Sequence, residues 1–178
     1  MSDPNTADLI RQLAQGGRVR IDCATLSKLP TAFLREALRV PSSTQVTLVN
    51  VAPDVCSALE ALALCTRFQV EKPAQSIIQD LPFTIGLDDN GVLITVDRTI
   101  AQSKLLDDQG SHRWLRGLTA DKVTLDFGAV DQVNSMLVAW LLQLAQSSKP
   151  ARVVLRRTKA QVQTQLKQLR LDQMMDIG

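Results

Sequence analysis

The 178-residue chain has no tyrosine and only four phenylalanines and two tryptophans, an aromatic share of 3%. A platform that stacks the bases of a single-stranded nucleic acid needs exposed aromatic rings. The few rings here fall in apolar segments, so that class of function is excluded. The only histidine is His112, so a multi-histidine metal site is ruled out and a histidine-dependent triad would rest on one imidazole. Within "GSHRW" it reads as a surface residue. Cys23, Cys56 and Cys65 form no CxxC pair and leave an odd count, which indicates neither a zinc site nor a disulfide framework. They read as buried thiols of a reducing compartment. No charge sign dominates, with Lys+Arg at 20 against Asp+Glu at 18, so no strong field steers the chain to nucleic acid or anionic lipid. No apolar run reaches membrane-spanning length, and "MSDPNTADLI" is not a basic segment followed by an apolar one. The expectation is a cytoplasmic protein without a membrane insertion.

What is present is the composition of a globular protein, 45% hydrophobic and 21% charged, long enough for one ordinary domain or two small ones. The one local basic excess, Arg152, Arg156, Arg157 and Lys159, reads as a solvated strand edge. "RVRID" at 18–22 and "KVTLD" at 122–126 both alternate as strands and both end in aspartate. Laying Asp22 on Asp126 also brings Val19 onto Val123, Ile21 onto Leu125, Leu26 onto Val130, Leu29 onto Val133 and Thr31 onto Ser135. Downstream, after a single change in length, Val46 falls on Val153, Leu48 on Leu155, Leu59 on Leu166, Leu62 on Leu169 and Val70 on Ile177. A strand, helix, strand, helix and short strand in the same order twice is what a duplicated α/β unit leaves behind.

The copies differ. "LPFTIGLDDNGVLI" reads as a hairpin about Asp88-Asp89-Asn90-Gly91, and nothing like it precedes the first copy. Helical patterns precede each repeated strand, over Ala7–Ala14 before Gly16-Gly17 and over Ala101–Leu118 with Gly117 as a stop. The expected organisation is an abbreviated unit over 1–72, a linker over 73–80 that contains Pro73, and a full unit over 81–178. The expected fold class is α/β, a mixed sheet with helices mainly on one face, duplicated, with the first copy lacking the hairpin.

From Leu81 to Gly178 the chain resembles the STAS domain, the module of bacterial anti-sigma factor antagonists and of sulfate transporter tails. The likeness rests on the opening hairpin, "KVTLDFGAVDQVNS", the strand "ARVVL", the helix "TKAQVQTQLKQL" and the closing "RLDQMMDI". Where that family carries Asp-Ser-Ser/Thr-Gly, this chain has Asn134-Ser135-Met136-Leu137, and its first copy has Pro30-Thr31-Ala32-Phe33. The resemblance implies a non-enzymatic, regulatory protein–protein interaction module without a cofactor. Its implied partner-binding surface is Val133, Asn134, Ser135, Met136 and Val138, with Thr31 in the first copy, and its implied phosphosite is Ser135.

Two readings of Ser135 stay open. A hydroxyl in the first turn of a helix faces free N–H groups and the positive end of the helix dipole, which suits a phosphate. Asn134 or Ser135 serves equally as an N-cap with no signalling role. Asp22, Asp126 and Asp131 read as turn and loop residues, because no second acid or base stands at a spacing that brings it near them. No GxGxxG, Walker loop or nucleophile elbow occurs. The implied partner is a protein, an anti-sigma factor or serine-kinase-like protein or a transport-complex subunit. A structural or assembly subunit is the first alternative, since the first copy's uncovered strand edge invites a homodimer. A small-molecule or nucleotide-binding protein is the second, because strand-to-helix turns of parallel sheets are common ligand sites.

Overall fold

The structure is a computed structural model that describes residues 4–71, 81–89, 91–103, 106 and 110–178. The linker expected over 73–80, Asn90 of the hairpin turn and Leu105 of the second helical pattern lie outside the described residues.

Helix α1 (Pro4–Ala14) ends before Gly16 and Gly17, whose φ angles of 69° and 71° are left-handed values that glycine adopts without strain. The chain then enters β1 (Arg18–Asp22), where Val19 and Ile21 are buried and the alternating charged residues face outward. A two-residue strand β2 (Leu29–Pro30) leads directly into α2 (Thr31–Arg39). Strand β3 (Gln45–Val49), helix α3 (Pro53–Ala61) and strand β4 (Phe68–Val70) complete a parallel three-stranded sheet of order β1-β3-β4.

The second unit opens with the expected antiparallel hairpin, β5 (Phe83–Asp88) and β6 (Gly91–Val96). A 3₁₀ turn (Ile100–Gln102), helix α4 (Gly110–Arg113) and a second 3₁₀ turn (Trp114–Gly117) lead to the short strand β7 (Leu118–Thr119). One helix through Leu118 was the expectation from pattern; the described part is instead broken into turns and ends in a strand. Then come β8 (Lys122–Asp126), α5 (Ser135–Ser147), β9 (Arg152–Arg156), α6 (Ala160–Gln168) and β10 (Asp176–Ile177). The sheet order is β10-β9-β8-β6-β5, parallel except for the hairpin. The fold is therefore mixed α/β, with six α-helices among the described residues.

The two units match in geometry. Val19 pairs with Val46 and Val123 with Val153; Thr47 pairs with Gln69 and Val154 with Asp176, each the counterpart of the other under the sequence overlay. The left-handed residues after the second strand and the second helix also correspond, Asn50 with Arg157 and Ala63 with Arg170. No described helix is long and apolar enough to cross a membrane.

The units are joined by direct packing. β2 pairs in parallel with β7, Leu29 opposite Leu118 and Pro30 opposite Thr119. The turn Trp114–Gly117 packs on α3, and Trp114, Leu115 and Leu118 are all buried in one core shared with Leu29, Phe33 and Val55. Gly117 is required there, because any side chain would overlap the Asp54 carbonyl oxygen and come within 2.7 Å of the Val55 nitrogen. Arg113 and Asp54 form an ion pair across the same contact at 3.4 Å.

Candidate functional site

The strand β8 delivers Asp126 to the sheet's C-terminal end, where its side chain is only 3% exposed. A carboxylate so placed stays charged only if it is hydrogen-bonded. Asp126 accepts from the Gly128 N–H at 3.1 Å, from Arg156 Nε at 3.3 Å and from Arg157 Nε at 2.8 Å, with Arg157 Nη2 on its second oxygen. Burial pushes this carboxyl up, yet the Arg157 hydrogen bond, the Gly128 N–H and the charges of Arg157 and Arg156 outweigh it and hold it below the ordinary carboxylate value. Asp131 is bound by Lys159, which lowers it as well and ties the loop before α5 to the start of α6. Arg152 pairs with Asp176 at 2.8 Å. The basic excess is solvent-exposed, as expected, and is also engaged in ion pairs within the chain, and the two aspartates expected in turns pin the loop that presents α5.

That loop ends at Asn134, which settles which residue caps the helix. Asn134 Oδ1 accepts the Leu137 N–H at 2.9 Å, and its Nδ2 donates to the Ala101 carbonyl. Ser135 is the first helical residue, exposed, with its hydroxyl left without a hydrogen bond among the described residues. The N–H groups of Ser135 and Met136 remain beside it, uncapped.

Of the residues expected on a docking surface, Val133, Met136 and Val138 are half-buried and Asn134 and Ser135 are exposed. Between α5 and α6 runs a groove of about 520 Å³ lined by Val133, Ser135, Val138, Leu142, Gln165 and Leu169, among others. Its wall is mainly aliphatic and its rim is uncharged amide and hydroxyl. Leu169 is among the three most exposed large hydrophobic side chains in the described residues. Sequence reading missed it as a surface feature, having taken it as one of a repeated set of apolar positions; its place just past the end of α6 was the available signal.

No protein-family model matches the chain, and no curated protein matches it.

Thr31 behaves otherwise than its counterpart Ser135. It is 6% exposed at the start of α2, so the structure does not present it on a docking surface. His112, expected on the surface, is also buried, at 7% exposure. In the first unit Asp22 accepts from Ala24 N–H and Asn50 Nδ2, both at 2.9 Å, and these bonds lower its carboxyl. This repeats the Asp126, Gly128 and Arg157 arrangement with a neutral amide in place of a guanidinium.

A second cavity, of about 630 Å³, lies against β4 and α3 and includes Cys56, Leu59, Glu60, Cys65 and Phe68. Burial raises the carboxyl of Glu60 and the thiol of Cys65, and Cys23 is pushed up to about 11, which keeps these thiols protonated at neutral pH. No cluster of three or more His, Cys, Asp or Glu able to hold a metal ion occurs among the described residues.

Proposed function

We propose that the chain is a non-enzymatic, STAS-like interaction module of the cytoplasm that binds a partner protein through the α5–α6 face, in the manner of an anti-sigma factor antagonist or a transport-complex subunit, and that its two units are copies of one ancestor. The observation that carries this reading is the pairing of an open aliphatic groove with a serine at the first position of α5. Asp126 and Asp131 are engaged in holding the loop before α5, and the groove wall offers contact area rather than reactive groups. Because Asn134 does the capping, Ser135 has no structural hydrogen bond to lose. A phosphate on it would sit beside the free N–H groups of Ser135 and Met136 and would place charge on the rim of an uncharged groove. Phosphorylation there would release the partner.

The test is affinity capture of tagged wild type and Ser135→Asp from native lysate, with captured proteins and phosphosites identified by mass spectrometry. One specific protein lost in the Asp variant, with phosphate on Ser135 of the wild type, is the expected result. Equal capture by both, without phosphate, removes the switch and leaves constitutive binding. If neither captures a specific protein, the interaction reading fails.

A second reading, an assembly subunit that forms a homodimer, is favoured by the edge of β1. In the second unit β8 lies between β9 and β6, whereas β1 has β3 on one side and, among the described residues, no strand on the other. Two β1 edges paired antiparallel about Arg20 would set Arg18 of each copy against Asp22 of the other. Light scattering distinguishes the cases: a monomer throughout the micromolar range contradicts the dimer.

A further inference from the structure

The two units carry corresponding outer faces on their helix pairs, and the first is the more covered: its Leu29, Leu34, Ala58 and Leu62 are buried, while Leu38, the counterpart of groove-lining Leu142, is 48% exposed. In the first unit it comprises Leu29, Leu34, Ala58 and Leu62 on β2, α2 and α3; in the second, their counterparts Val133, Val138, Gln165 and Leu169 on the pre-α5 loop, α5 and α6. Leu29 and Leu34 are fully buried and Leu62 is 8% exposed, whereas Val133 and Val138 are half-buried and Leu169 is 54% exposed. On the β2 and α3 part of the first face lies the segment 114–119, a 3₁₀ turn bearing a buried tryptophan and leucine, then Gly117 pressed against the start of α3, then two residues paired in parallel with β2.

The main chain corresponding to β2 is available in the second unit. Gln132 and Val133 belong to no strand and make no main-chain hydrogen bond among the described residues, while Leu29 is paired. An exposed aliphatic groove flanked by unpaired main chain is a site for a segment that brings both apolar side chains and a short strand.

Building on the proposed interaction function, we infer that the α5–α6 groove takes from its partner protein a segment of the same kind as Trp114–Thr119: a bulky apolar anchor in a tight turn, a glycine or other small residue, and a short strand that pairs in parallel with Gln132–Asn134. The occupant is a different protein rather than a second copy of this chain. In each copy Trp114 and Leu118 are buried in the contact between units and are not free to reach across.

The probe is the synthetic peptide SHRWLRGLTAD, which reproduces residues 111–121, titrated into the methyl-labelled full chain and followed by NMR. Saturable shifts of the Val133, Val138, Leu142 and Leu169 methyls are expected. The Leu169→Asp chain should bind about thirtyfold more weakly, the fold-change for losing burial of one leucine. A peptide with Trp114→Ser should bind more weakly still than the native sequence. Leu169 is exposed, so the variant's thermal unfolding is expected to match wild type, which separates lost binding from lost folding. No saturable shift at millimolar peptide, or shifts confined to α2 and α3, overturns the inference. Running the Leu169→Asp chain in the capture experiment keeps the two readings apart. A partner captured through this face with no peptide binding refutes the mode of docking alone, and no specific partner refutes the interaction reading itself.

Discussion

The first and second units share strand order, register and left-handed positions, yet they treat the same surfaces in opposite ways. The second unit adds the β5–β6 hairpin to the edge of β8 and leaves its α5–α6 groove open; the first has no strand beyond β1 among the described residues and has the segment 114–119 packed on β2 and α3. The strand-end aspartate follows the same split. Asp126 is buried and needs two guanidiniums, while Asp22 is exposed and is satisfied by an amide and one N–H. The difference teaches that one α/β scaffold can be spent on internal cohesion in one unit and left with an open helix face in the other. Which of these a unit shows is decided by what packs on its helices, and the strands do not decide it.

The strongest way to break the comparison is to part the units. Gly117→Val would drive a branched side chain into the Asp54 carbonyl, and the expected loss is about 3 kcal/mol, at the upper end for overpacking. Gly86→Ala, where nothing stands within 4 Å of the added carbon, serves as the control and should leave stability nearly unchanged. Urea titration followed by tryptophan fluorescence measures both, and equal stability of the two variants would mean the contact between units does not hold the fold.

Next come the paired first-turn hydroxyls. Thr31→Asp buries a charge at the start of α2 and is expected to cost about 2–3 kcal/mol. Ser135→Asp sits exposed at the start of α5, where a negative charge is favourable, and should change stability by no more than about 0.5 kcal/mol. Thermal melts of the two variants should differ by several degrees, and coincident melts would erase the distinction between covered and open faces.

The aspartates give a smaller contrast with a pH signature. Asp126→Asn removes the charge that organises Arg156 and Arg157, at an expected cost of about 2 kcal/mol. Asp22→Asn should cost less, because that carboxylate is already solvated. The folded-state values of both carboxyls are depressed, so each stabilises the fold above its unfolded value, and that contribution is lost as the pH falls through the folded value. The acid limb of a stability–pH curve should therefore flatten more in Asp126→Asn than in Asp22→Asn.

The strands were readable because their alternation is local: "RVRID", "KVTLD", "ARVVL" and the hairpin all stand where pattern placed them. What escaped was non-local. β2 and β7 are two residues each, too short for any period, and exist because the units meet. The pattern over 101–118 reads as one helix, but the described part is broken into turns where 114–117 packs on α3; His112 lies beside α5 and is buried, as is Thr31 at the start of α2. Asp126 and its arginines stand far apart in sequence, so pattern gave the exposure of the basic excess but not its ion pairs. At the candidate site, the positions of Asn134, Ser135 and Val138 were legible, whereas the division of labour between cap and free hydroxyl, and the exposure of Leu169, required α5 and α6 side by side.

The most direct measurement is a calorimetric titration of the captured, purified partner into wild type, Leu169→Asp and Leu38→Asp. Leu38 is also an exposed leucine, at 48%, but lies on α2 of the first unit. Binding through the α5–α6 face predicts affinity weakened tenfold or more for Leu169→Asp and unchanged for Leu38→Asp. Equal affinity of wild type and Leu169→Asp would contradict it.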